Sequence, residues 1–164
     1  MNLDISTVAT IGKSLSVKLE KMPDDTECVM AHLKFSHAFI QRHEIDQLLD
    51  QQVGWSAQSF FNTEGAPIGR FTIDAPAIEG MVHGVIRGTN ESQIIKLSQA
   101  LLTDVAVSLY LNGGMLSGSL TWMVAGDEAS DIEPLLGKEC MLVWSVVNGS
   151  QGDLFKPTEQ RAAA

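Results

Sequence analysis

The chain is short of positive charge. Its 164 residues hold 11 Lys and Arg against 20 Asp and Glu, for a formal net charge of −9 and a pI of about 4.7. Non-specific affinity for nucleic acid comes mostly from Lys and Arg replacing phosphate counterions. The surface as a whole therefore disfavours direct DNA or RNA binding, and no Lys/Arg cluster appears in the sequence. Cysteine is also scarce. Cys28 and Cys140 each lie in an apolar run and read as buried free thiols. No basic segment followed by an apolar stretch opens the chain. No apolar run reaches the roughly 20 residues of a membrane helix. These absences point to a cytoplasmic protein with no membrane partner.

Catalytic signatures are missing too. There is no G-x-G-x-x-G and no P-loop; Gly65 and Gly69 are not followed by Lys-Ser or Lys-Thr. Gly114-Met115-Leu116-Ser117-Gly118 has the wrong spacing for a nucleophile elbow. The nearest thing to a metal set is His32, His37, His43 and Glu44. On a helix His37 and His43 point about 120° apart and do not converge. Asp74 and Glu79 flank a loop where paired carboxylates do acid–base work only if their surroundings split their pKa values. We expect no catalytic residues, no metal and no cofactor.

What is present is a sheet protein. Length fits one domain plus a tail, large enough to fold without metal or disulfide. An apolar fraction of 45%, only 19% charged residues and 14 glycines suit sheet and turns over a helical bundle. Leu15, Val17 and Leu19 alternate with polar residues, as do Val29, Ala31, Leu33 and Phe35. With the turn Met22-Pro23-Asp24-Asp25 between them, they predict a hairpin. Ser36 reads as the N-cap of a helix over 37–50, with Ala38, Ile45, Leu48 and Leu49 as its apolar stripe. Residues 51–79 read as loops around buried Trp55, Phe60, Phe61 and Phe71. Gly80, Gly84 and Gly88 share one strand face, which calls for a close neighbour or a bulge. Strands follow over 94–102 and 105–111, then a tight turn at Asn112-Gly113-Gly114. The next strand places Leu116, Leu120, Trp122 and Val124 on one face. Residues 127–136 are acidic and helical in character, and residues 140–147 are apolar on both faces, as in a central strand. The expected class is α+β: mostly antiparallel sheet, one main helix near 37–50, a single domain over 1–147 and an unstructured tail over 148–164.

The tail holds the most specific signal. Gln151-Gly152-Asp153-Leu154-Phe155 resembles the short peptide by which bacterial replication and repair proteins dock on the sliding clamp. That peptide runs Gln, any residue (often Leu), Ser or Asp, Leu, Phe. Gln151, Asp153, Leu154 and Phe155 match; Gly152 stands where Leu is common. The resemblance covers five residues and implies a protein partner, the clamp. It also has a physical logic. A Leu-Phe pair in a polar segment is an anchor for a pocket on a partner, Gln151 adds hydrogen bonds that fix register, and Pro157 limits the freedom lost on binding.

The expected function is thus a non-enzymatic accessory binding protein of bacterial or phage DNA metabolism, held at the clamp by its tail. Two other readings stand beside it. An acidic phage-type inhibitor or nucleic-acid decoy would act through its negative surface, with Asp127, Glu128, Asp131 and Glu133 as a patch for a basic partner. A self-associating structural subunit would use its glycine-rich and doubly apolar strands to form a homo-oligomer.

Overall fold

The computed structural model describes residues 2–53, 57–75, 80–90, 92–124 and 128–148. Trp55, Glu79, Asp127 and the tail motif Gln151–Phe155 lie outside these residues.

Alternation of apolar and polar residues builds long strands. β1 (Asn2–Lys21) and β2 (Glu27–Gln41) form the expected hairpin, and α1 (Arg42–Val53) follows. After a 3-10 turn at Ala57–Phe60 come β3 (Thr72–Ala75), β4 (Gly80–Arg87), β5 (Ile94–Tyr110) and β6 (Gly113–Met123). A short helix, α2 (Glu128–Ile132), runs into a 3-10 turn and then β7 (Glu139–Asn148). Every pairing is antiparallel. The order β5-β4-β7-β1-β2-β6 returns to β5, so six strands close a barrel, while β3 lies on β5 beyond the reach of β4. Closure removes most of the unpaired edges that an open sheet would leave; β3 and the second half of β1 each keep one side without a strand among the described residues.

The barrel interior is apolar. Ile5, Ala9, Ile11, Leu33, Phe35, Val82, Ile86, Leu102, Leu116, Leu120, Leu142 and Trp144 are among its buried residues, and no buried residue is polar or charged among those described. Each end has a helical plug. Ile45 and Leu48 of α1 sit at one end, beside the ends of β2 and β6. Ile132 and Leu135 close the other, where the chain crosses from β6 to β7. Gly84 allows β4 and β7 to approach: a Cβ there would lie 2.2 Å from the Val143 carbonyl oxygen.

Three expectations are corrected. The main helix does not span 37–50. Residues through Gln41 complete β2, and α1 begins at Arg42, with α2 as a second short helix. Ser36 is therefore no N-cap; its hydroxyl meets His37 Nδ1. The Glu44 carboxylate instead accepts from the Gln41 backbone N–H at 2.6 Å, one half of a capping box. Phe71 is not buried but 37% exposed, edge-on to Phe60. Cys28 is only half-buried, although Cys140 is buried and both thiols are free. The strand over 140–147 is central, between β4 and β1, yet its second apolar face, Met141 and Val143, points outward. Among the described residues no helix is long and apolar enough to cross a membrane.

Candidate functional groove

A band of bulges crosses four neighbouring strands. In β1, Gly12, Lys13 and Ser14 together oppose Lys34 of β2. In β2, Ser36 and His37 oppose Ser117 of β6. In β5, Asp104 and Val105 oppose Gly118 of β6. An extra residue bends its strand and raises the local twist. His37 and Asp104 mark their bulges with φ of 57° and 54°, values that L-residues other than Asn and Asp seldom take. The strands run close in this band: a Cβ at Gly12 would stand 3.0 Å from the Lys34 carbonyl oxygen.

The outer wall is hollowed along this band. Two adjoining recesses of about 430 and 390 Å³ share Gly12, Lys34, Asp104 and Ser119. Lys13 and Lys18 join Lys34 on the walls. Hydroxyls of Ser14, Ser16, Ser36, Ser117, Thr103 and Thr121 fill in between. Three lysines facing one lining carboxylate, Asp104, form a locally basic groove on a chain of net charge −9. Ammonium and hydroxyl donors around a shallow recess suit an anion that accepts many hydrogen bonds.

His32 lies in the same wall and links three strands. Its Nδ1 is 2.8 Å from Thr121 Oγ1 on β6. Its Nε2 is 3.4 Å from Glu20 Oε1 on β1. That second contact is close enough for an ion pair but not aligned as a hydrogen bond, since Nε2 is buried without a hydrogen-bond partner. A Thr–His–Glu row resembles a relay, but only Thr121 and His32 face each other in register; Glu20 pairs with Cys28 and reaches His32 through its side chain without an aligned hydrogen bond. We therefore assign it to the wall of the groove and to no reaction.

The residues named from sequence scatter. His37 sits at a β2 bulge, His43 on α1 and His32 in the groove wall, and among the described residues no group of three His, Cys, Asp or Glu is placed to hold a metal. Asp74 pairs with Ala106 of β5, and Glu79, the other carboxylate flanking that loop, lies outside the described residues. Glu128, Asp131 and Glu133 are exposed on α2 and the turn after it. The glycine-rich strand β4 is held between β5 and β7 and offers no edge. Sequence reading missed the groove, because Lys13 and Lys18 of β1, Lys34 of β2 and Asp104 of β5 are far apart in the chain and only strand pairing brings them together. No family, no curated protein and no solved structure matches this chain.

Proposed function

We propose that this chain is a non-enzymatic accessory binding protein of bacterial or phage DNA metabolism, docking through Gln151, Asp153, Leu154 and Phe155 on the replication sliding clamp. One observation carries the reading: the motif begins three residues after the last barrel strand ends at Asn148. All six strands that close the barrel precede it, so a clamp can take the peptide without dismantling the fold. Tethering would raise the effective concentration of whatever the barrel holds.

The test is calorimetric titration of a bacterial sliding clamp with the full chain and with the Leu154→Ala/Phe155→Ala variant. Anchor residues at interface centres contribute about 2 kcal/mol or more each. Each single variant should lose about thirtyfold in affinity and the double variant, if the two add, close to a thousandfold. A variant lacking residues 149–164 should keep the unfolding midpoint and lose clamp binding altogether. Absence of binding by the full chain refutes the reading.

A second reading concerns the groove, and the gathering of Lys13, Lys18 and Lys34 favours it. We infer a compact anionic ligand, of the size and charge of a phosphate ester. The acidic surroundings argue against a long nucleic acid. Pyrophosphate titrated into the protein and followed by amide NMR should shift residues of β1, β2 and β6, and the Lys13→Gln/Lys34→Gln variant should abolish those shifts. Shifts elsewhere, or none, remove this reading.

A further inference from the structure

The barrel closes, yet β1 keeps an open edge. β7 accompanies β1 only as far as the Thr10–Glu139 pair. The turn before β7 then bonds Ile11 and Gly12: Ile11 N–H donates to the Lys138 carbonyl, and Gly137 N–H donates to the carbonyls of Ile11 and Gly12. From Lys13 to Lys21, β1 has β2 on one side and, among the described residues, no strand on the other. In an antiparallel ladder alternate residues turn both backbone groups away from the partner strand. The stretch Leu15–Lys21 thus offers a row of free N–H and C=O groups. Its inward face is also uncovered. Val17 is 45% and Leu19 64% exposed, although the cross-strand partner of Val17, Ala31, is fully buried and that of Leu19, Val29, is half-buried.

We propose that this edge is an interface at which a second copy of the chain adds its own β1, antiparallel, about a two-fold axis through Leu19. The register follows from charge. An axis through Leu19 sets Lys18 of each copy opposite Glu20 of the other, twice by symmetry, on the outer face. On the inner face it sets Leu19 against Leu19 and lays the aliphatic stem of Lys21 over Val17. Opposite charges and apolar pairs directly across a ladder are each favourable by about 0.2–1 kcal/mol, and like charges are unfavourable. An axis through Lys18 would put lysine on lysine; one through Glu20 would put glutamate on glutamate. An axis through Val17 would leave Lys18 facing Ser16 with no ion pair.

Asn2 pairs with Val147, so β7 ends at the far end of the barrel from the hairpin tip. A strand pair of this length buries less than a standard interface, so the dimer forms reversibly.

Sedimentation velocity of the full chain over a concentration series tests this, and it does not depend on clamp binding. The wild type should shift from monomer to dimer as concentration rises. Leu19→Asp should stay monomeric at every concentration. Lys18→Glu should weaken the dimer at least tenfold, and Lys18→Glu/Glu20→Lys should restore it. Leu19 and Lys18 are exposed, so each single variant should keep the wild-type circular dichroism and urea midpoint. A wild type that remains monomeric, or a dimer indifferent to Leu19→Asp, overturns the interface. A dimer that Lys18→Glu leaves unchanged overturns the register proposed here.

Discussion

Replacing Gly84 with alanine should unfold much of the barrel's margin of stability. Gly84 of β4 lies opposite Trp144 of β7 and Leu97 of β5, in the middle of the closed sheet. A methyl carbon there would stand 2.2 Å from the Val143 carbonyl oxygen and 2.5 Å from Trp144 Cα. Ordinary contact between such atoms is about 3.5 Å. The deficit of roughly 1 Å falls on backbone atoms of a central strand, which have no rotamer to change. The two strands must separate. Overpacking alone costs about 1–3 kcal/mol, and each ladder hydrogen bond stretched out of geometry loses about 1 kcal/mol more. With one or two such bonds, the expected loss is about 2–5 kcal/mol, a large share of the 5–15 kcal/mol typical of a domain. Urea unfolding followed by tryptophan fluorescence reads it directly. Gly137→Ala is the control. Its Cβ would find only Lys13 Cγ, at 3.5 Å, so the cost is that of a positive φ of 73°, about 1–2 kcal/mol. If Gly84→Ala lowers the midpoint no more than Gly137→Ala, the close approach of β4 and β7 is not what the glycine serves.

Three further outcomes follow from buried and half-buried groups. Trp144 is 3% exposed, packs edge-on to Phe35 with centroids 5.1 Å apart, and its Nε1 has no hydrogen-bond partner. An orphaned donor costs about 1–3 kcal/mol, so Trp144→Phe should lose less than about 1.5 kcal/mol in urea unfolding, well below the 2–5 kcal/mol of Leu120→Ala; equal losses would refute the orphan. Burial holds the Cys140 thiol above its ordinary value of 9.0. As pH rises past that value the unfolded thiol loses its proton first, so the unfolded state binds fewer protons and stability falls. Below it both states keep the proton and nothing changes. The wild type should lose stability between about pH 8 and 10 more steeply than Cys140→Ala, and parallel profiles would exclude the effect. At Cys28, burial and then the charges of Glu20 and Asp24 raise the thiol. Glu20→Gln should therefore speed alkylation at neutral pH, as measured by mass spectrometry.

How much of this was legible in the sequence depended on parity. Where alternation ran unbroken, as in 29–35, 105–109 and 116–124, strand and buried face were both readable. Bulges hid the rest. In β2 the inward residues are Val29, Ala31, Leu33 and Phe35, then Ala38 and Ile40. Two residues at the bulge move the pattern from odd to even positions. The resulting Phe35-to-Ala38 step has the spacing of one helical turn, which is why 37–41 read as helix. In β5 the inward set runs Ile95, Leu97, then Ala100, Leu102, then Val105, Val107 and Leu109. Parity flips twice, at Gln99 and Asp104, both with positive φ. A residue count cannot show which extra residue a strand discards. The first half of β1 was different: Ile5, Ala9 and Ile11 alternate inward, a signal present but interrupted by Thr7. The groove is obscure for a related reason, since Lys13, Lys34 and Asp104 are far apart in the chain and meet only through strand pairing.

The end of β7 and the turn between β1 and β2 lie at opposite ends of the fold. β7 hands the chain on beside Asn2, while the turn between β1 and β2 lies at the opposite end of the same twenty-residue strand. A strand built into a closed barrel does not fold back on itself. Whatever is fastened after Asn148 is held away from whatever meets Leu19, by up to about 55 Å of strand. Two copies joined at their hairpins would point their attachment points outward in opposite directions, reaching across roughly twice that length.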